Sequence, residues 1–379
     1  MKLATQLIHH GNFEDQAGSI MPPIVLSSTF ERGDDELSHP KGYVYSRLGS
    51  PNRTALESKL TVLENGVDTV TFASGLAAAM AVFQSLGADA HVLLPDDIYF
   101  GVRAIIEKLY TQWRLSFSLV NMADVAAVEA AILPNTKLIW VESPSNPQLK
   151  ITDIEAIVGI AKPKNILVAC DNTWATPYFT RPLDLGADIT MHSTTKYLGG
   201  HSDLLGGSLT FKEKSPTLEF TRAFQMIGGA VPSPFDCWLL CRSLATFAAR
   251  MPLHATNALG LARFLEQQPA IEKVMYPGLE SDAYHVLAKK QMVNGFGGML
   301  SINVKGGQDE ALELVSKLKL FRHATSLGGV ESLIEHRNSI EGTSSLTPKN
   351  LLRISVGIED LEDIIEDFKQ AMIEQVKRI

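Results

Sequence analysis

Read from the amino end, the chain shows little regular patterning before about residue 55. Turn formers crowd that stretch: PP at 22–23, RGDD at 32–35 and HPKG at 39–42. A long irregular start of this kind suits an arm that wraps over the fold or reaches a neighbouring subunit. After it, short apolar runs alternate with helical periodicity. TALESKLTVLENG (54–66) predicts a helix stopped by Gly66, DTVTFAS (68–74) a strand, and GLAAAMAVFQSLG (75–87) a helix ended by glycine. HVLLPD (91–96), TKLIWVES (136–143), NILVACDN (165–172) and ADITMHS (187–193) read as apolar strands that finish in polar residues, with helical patterns at 100–110 and 123–133 between them. Strand and helix in alternation predict an α/β domain with a large, mostly parallel sheet covered on both faces.

From about residue 245 the texture changes. A helical stretch over 237–268 leads to a strand at 296–305, a helix at 308–320, a strand at 351–357 and a C-terminal helix at 361–377. This predicts a smaller α+β domain. At 379 residues the chain also exceeds what one core usually supports. The expected division is therefore an arm over 1–55, an α/β domain over 56–245 and an α+β domain over 246–379.

Composition removes several function classes. The 42 acidic residues outnumber the 34 basic ones, for a net charge of −8, and no long single-sign block occurs. That balance argues against nucleic acid or an anionic membrane as partner. No apolar run approaches the length that crosses a bilayer, and MKLATQLIHHG lacks the apolar core of a signal peptide. Cys170, Cys237 and Cys241 make no disulfide framework, so the cytosol is the expected compartment. The histidines show no metal-ligand spacing, and neither a Walker loop nor a GxGxxG fingerprint is present.

In open parallel sheets, ligands gather at the carboxyl ends of the strands, so the polar residues there are the candidates. Lys196 lies in MHSTTKYLGGHSD (191–203), a hydroxyl-rich turn after an apolar strand. Burial at such a place lowers an amine's pKa and makes it nucleophilic toward an aldehyde. Asp171 closes NILVAC, where a lone carboxylate is costly unless it meets a cation. A protonated pyridine nitrogen is such a cation. Ser74 and Gly75 open a helix, where free amides and the helix dipole favour phosphate, and the hydroxyls of Ser193 and Thr195 add further contacts. Together these features point to pyridoxal 5′-phosphate held as a Schiff base on Lys196.

At this point the residues match a known group end to end. YSRLGSPNRTALE (45–57), ASGLAA (73–78), DDIYFG (96–101), VESPSNP (141–147), DNTWATP (171–177), HSTTKYLGGHSD (192–203), SLGGVESL (326–333) and LLRISVGIED (351–360) occur in order. The chain resembles the Cys/Met-metabolism group of pyridoxal-phosphate enzymes, which includes cystathionine γ-synthases, cystathionine β- and γ-lyases, methionine γ-lyases and homoserine-ester sulfhydrylases. The resemblance implies the PLP-dependent transferase fold, type I aminotransferase-like, in a homo-oligomer with shared active sites, a dimer that pairs into a tetramer. It further implies that Ser74, Gly75, Leu76, Ser193 and Thr195 hold the phosphate, and that Tyr45 and Arg47 reach it from the neighbouring subunit. By the same resemblance Tyr99 stacks on the ring and relays protons, and Asn146 lies near the phenolic oxygen. Arg353, with Ser326 and Leu327 nearby, then grips the α-carboxylate of a sulfur-containing amino acid.

Within the group, Leu327 stands where enterobacterial-type β-lyases carry tryptophan, and Phe100, Gly101 and Val102 replace the cysteine that follows the stacking tyrosine in methionine γ-lyases. The segment 335–350 departs from the threonine-histidine pattern of many γ-enzymes. The expected reaction is cystathionine cleavage by β- or γ-elimination, with cystathionine γ-synthase next. An aminotransferase and a catalytically silent binding protein are the readings from other classes.

Overall fold

The structure, a computed structural model, describes residues 1–35, 37–341 and 347–376. Two sheets organise it. Seven strands form the larger one: β1 (Asp68–Phe72), β2 (His91–Pro95), β3 (Ser116–Val120), β4 (Thr136–Glu142), β5 (Leu167–Asp171), β6 (Ile189–His192) and β7 (Gly207–Phe211). Their spatial order is β1-β7-β6-β5-β4-β2-β3, and β7 alone runs against both of its neighbours. The strands β2 and β6 are buried along their length, and β4 and β5 are buried except at Lys137 and Leu167, as expected where helices cover both faces. One core lies on each face, around Phe83 and Trp140 on one side and Ile139 and Ile157 on the other.

The smaller sheet holds β8 (Ile271–Met275), β9 (Met299–Val304), β10 (Arg322–His323), β11 (Leu333–His336) and β12 (Leu351–Ser355), in the order β10-β11-β12-β9-β8. A third core packs this sheet and the C-terminal helix Leu361–Val376 against the long helix Phe247–Glu266, and it also takes in Leu7, Leu56 and Trp174. This core therefore ties the smaller sheet to helices and loops that flank the larger one. Among the described residues no helix is long and apolar enough to cross a membrane.

Local chemistry explains where the periodicity reading misses. The helix Pro51–Glu64 begins on the Ser50 cap and ends on Asn65, whose φ of 58° is left-handed. Gly66, the expected stop, is needed for space instead, because a Cβ there would lie 2.4 Å from Thr210 Cγ2. The stretch over 237–268 is two helices, Pro234–Leu244 and Phe247–Glu266. At the break the Thr246 hydroxyl donates to the Ser243 carbonyl at 3.1 Å, and hydroxyls that bond the local backbone in this way compete with helix. The helices Ile154–Ala161 and Pro216–Gly228 and the strands β3, β7, β8, β10 and β11 were not anticipated. β3 is a half-exposed edge strand, and β7 begins with glycine, so neither carries a strong apolar run. Of the C-terminal prediction 361–377, residue 377 lies outside the described residues, as do 342–346 of the segment 335–350.

Candidate active site

Three strand ends converge on one cavity of about 240 Å³. β5 delivers Asp171, the turn after β6 delivers Ser193 to Lys196, and the loop after β1 delivers Ser74 to Leu76. From the smaller sheet, β12 brings Arg353 and the segment before β11 brings Ser326 and Leu327. Tyr99 and Asn146 line the same space. Thus twelve of the fourteen predicted residues meet at one place, though they are drawn from both sheets.

Asp171 and Lys196 stand out for how their polar atoms are used. Thr173 donates twice to Asp171 Oδ1, from its hydroxyl at 2.5 Å and its amide at 3.0 Å. No group of the described residues bonds Oδ2, although the side chain is buried. Burial raises the Asp171 pKa, against those two bonds from Thr173. Next to it in register, Glu142 accepts the Tyr99 amide at 3.1 Å, and burial followed by the charge of Asp171 pushes its carboxyl well up. Because burial pushes the Glu142 carboxyl toward its neutral form, Asp171 is the carboxylate placed to meet a cation.

The Lys196 amine donates to Ser326 Oγ at 2.7 Å. Burial lowers its pKa to about 8, and the charge of Arg353 adds to the effect. Ser326 has a φ of 117°, sparsely populated for any residue but glycine, so the surrounding fold holds it there at some cost. Its carbonyl accepts Arg353 Nη2 at 3.1 Å, while Arg353 Nη1 donates to Asn146 Oδ1 at 3.2 Å. Burial brings the Arg353 pKa down to about 10, partly offset by Glu335.

The phosphate end is built from close backbone contact. Ser74 caps the helix Gly75–Ser85 by accepting the Ala77 amide at 3.1 Å. A Cβ on Gly75 would come within 2.9 Å of Ser193 Cβ, so only glycine lets the helix start and the Ser193 turn approach this closely. Thr195 is placed here too, but its hydroxyl accepts the Gly206 amide at 3.0 Å and is partly committed to shaping the turn. Tyr45 and Arg47 are the two predicted residues that this chain does not bring to its own cavity. Tyr45 is 44% exposed, and Arg47 donates to the Met226 carbonyl.

These groups fit pyridoxal 5′-phosphate. The open Oδ2 of Asp171 offers an anionic partner to a ring nitrogen, the Lys196 amine is available to its aldehyde, and the helix start at Gly75 suits its phosphate. Sequence reasoning places Glu142 among the polar strand ends without a role, and it missed Thr173, Glu335 and Arg337. The last two are buried charges on a strand and at the start of the short helix Arg337–Glu341 after it, and the run EHR beyond an apolar stretch was the signal available.

Comparison with known proteins bears on the same site. A family profile described as Cys/Met metabolism PLP-dependent enzyme matches residues 4–373. The chain is 44% identical over 377 residues to a protein named cystathionine gamma-synthase from Mycobacterium tuberculosis, covering 97% of this chain and 96% of that one. It is 42% identical over 381 residues to a protein named cystathionine beta-lyase from Lactococcus lactis subsp. cremoris, covering 98% of each. The crystal structure of metB from Corynebacterium glutamicum superposes with a TM-score of 0.95 at 40% identity, over 99% of this chain and 98% of that one.

Proposed function

Because the chain belongs to the Cys/Met metabolism PLP-dependent enzyme family, we propose that its cavity forms or breaks the carbon–sulfur bond of cystathionine, with γ-replacement the favoured reaction. Membership makes the protein a PLP-dependent trans-sulfuration enzyme, and pyridoxal 5′-phosphate is its cofactor. The reading rests on one observation above all: a buried amine with a lowered pKa shares a cavity with an open carboxylate and a buried guanidinium. The name of the Mycobacterium tuberculosis relative and the leucine at 327 favour the γ-carbon. Cleavage of cystathionine is the second reading, supported by the name of the Lactococcus lactis relative.

Bound here, the cofactor supplies an aldehyde for amines and a ring that withdraws electrons from the substrate α-carbon. Asp171 holds the proton at the ring nitrogen through Oδ2, and Thr173 fixes its orientation. Ser74, Gly75, Leu76, Ser193 and Thr195 hold the phosphate. Arg353 binds the substrate α-carboxylate, with the Ser326 carbonyl and Asn146 setting the plane of its fork. That grip would point the Cα–H at Lys196, which would take that proton and, for γ-chemistry, a second one from Cβ, so that the γ-group can leave. Ser326 aims the amine through its hydroxyl. Tyr99 or Lys196 delivers a proton to the departing heteroatom.

The arm over 1–55 belongs to the same reading, with Tyr45 and Arg47 completing a neighbouring subunit's phosphate site in a homotetramer. So do the domain division at 245 and a cytosolic location. Product analysis tests the proposal. Cystathionine alone should stay intact, and turnover should appear when O-succinylhomoserine and cysteine are supplied together. Cysteine with 2-oxobutyrate from cystathionine alone would mean γ-cleavage, and homocysteine with pyruvate would mean β-cleavage and defeat the γ assignment.

A further inference from the structure

The loop after β2 and the loop after β4 are fastened together at three points. The Lys150 amine donates to Asp96 Oδ1 at 2.8 Å, and the Ser145 hydroxyl donates to Asp97 Oδ2 at 2.5 Å. The third link is the Tyr99 amide, which donates to Glu142 Oε2 at 3.1 Å. Of the three, only this last one joins two residues that line the cavity. The loop after β4 also carries Asn146, which accepts Arg353 Nη1. Through Glu142, the backbone under the Tyr99 ring is therefore tied to the segment that steadies the arginine fork.

A carboxyl in this place is costly. Glu142 is buried and sits in register beside Asp171, and both line the cavity. Two carboxyls so close do not both ionise cheaply. Burial, and then the charge of Asp171, push Glu142 toward its neutral form. An apolar side chain would avoid that cost, but it would take away the acceptor that the Tyr99 amide now has. The side chain that follows this amide is loosely enclosed: Tyr99 is 40% exposed. A Cβ on Gly101 would lie 2.7 Å from Tyr99 Cε1, so glycine leaves the ring its space without gripping it. With little around the ring to fix it, the backbone anchor decides where it lies.

We infer that Glu142 is a positioning residue, which acts on the cofactor through Tyr99 by holding the Tyr99 amide beside Asp171. This deepens the proposed reading and rests on its placement of Tyr99 at the cofactor. The acceptor oxygen is what the role requires, and the charge is not. A neutral carboxyl accepts through its carbonyl oxygen, and a glutamine amide offers the same atom at the same reach.

The test is equilibrium titration of protein stripped of cofactor with pyridoxal 5′-phosphate, which needs no turnover and holds whichever sulfur amino acid the enzyme takes. Glu142→Met keeps the length of the side chain and removes the acceptor, and it should weaken cofactor affinity by about tenfold. Glu142→Gln should stay within about threefold of the native protein. A side chain that merely fills space would show no such split between the two variants. Tyr99→Ala should also weaken affinity by about tenfold or more, and Glu142→Met added to it should cost less than about threefold further. Should the two losses multiply instead, Glu142 does not act through Tyr99 and the inference is overturned, with the placement of Tyr99 intact. Equal affinities for Glu142→Met and the native protein overturn it as well. Should Tyr99→Ala alone leave affinity unchanged, the placement of Tyr99 has failed and the inference falls with it. Glu142→Asp, which draws the oxygen back by one methylene, should behave as Glu142→Met does and replaces it where that variant fails to fold.

Discussion

On the wall built by the seven-stranded sheet, charged groups are few and left open. Asp171 keeps one oxygen unbonded, and Lys196 has a single hydroxyl partner in Ser326. On the wall built by the five-stranded sheet, each buried charge is paired, Arg353 with Glu335 and Arg337 with Glu335 and Glu341. Both walls bury their charged groups, yet they treat burial differently. The first keeps its groups reactive by withholding partners, so their pKa values move: the amine down, the carboxyls up. The second holds a cationic surface in place with carboxylates, and Glu335 stays below its usual range because Arg353, the Thr325 hydroxyl and Arg337 together outweigh the effect of its burial. Reactivity comes from unsatisfied groups, and recognition from groups already held in position.

Substitutions should separate the walls by which kinetic constant they change. Lys196→Ala should lower turnover by at least about 10⁴-fold and remove the visible absorbance of the bound cofactor, read by steady-state assay and spectrophotometry. Retained activity would end the assignment of Lys196. Asp171→Asn should cut kcat by at least about 10²-fold while cofactor is still bound, because an amide cannot hold the ring nitrogen protonated. Arg353→Ala, on the other wall, should raise KM by about 10- to 100-fold with a smaller change in kcat, since it removes ground-state and transition-state binding alike. A large fall in kcat at unchanged KM would erase the distinction between the walls.

Two finer tests sharpen the comparison on the reactive side. Below about pH 8 the Lys196 amine is protonated in the folded protein, and it becomes neutral as pH rises through that value. The rate at which protein stripped of cofactor takes up pyridoxal 5′-phosphate should therefore fall about tenfold per pH unit below 8 and level off above it. Continued acceleration toward pH 10 would mean an ordinary lysine. Thr173→Ala removes the hydroxyl that bonds Asp171 Oδ1 and accepts the Ser193 amide. It should weaken cofactor affinity by up to about tenfold, measured by equilibrium titration.

Legibility in the sequence follows the same division. The apolar strands β2, β4, β5 and β6 were visible because buried parallel strands must be apolar along their whole length. Their polar end residues then pointed to Asp171 and Lys196. Edge strand β3, glycine-led β7 and the short strands β10 and β11 carried no such run, and β7 pairs with β1, which is distant in sequence. Arg353 was placed by resemblance alone, and Arg337 was not placed, because a charge on a strand of the smaller sheet, or on the short helix after one, has no local mark of what it faces.

By itself, then, the sequence determined the alternation of the large sheet, the strand-end chemistry of Asp171 and Lys196, and the family of the chain. These depend on burial patterns and motifs that neighbouring residues express together. Only the tertiary structure decided that Ser326 holds the Lys196 amine 130 positions away in the chain, that Arg353 meets Asn146, and that Glu335 bridges two guanidiniums. Such contacts form when the two sheets close on each other, and the energy of a buried charge is set by whichever partner that closure supplies.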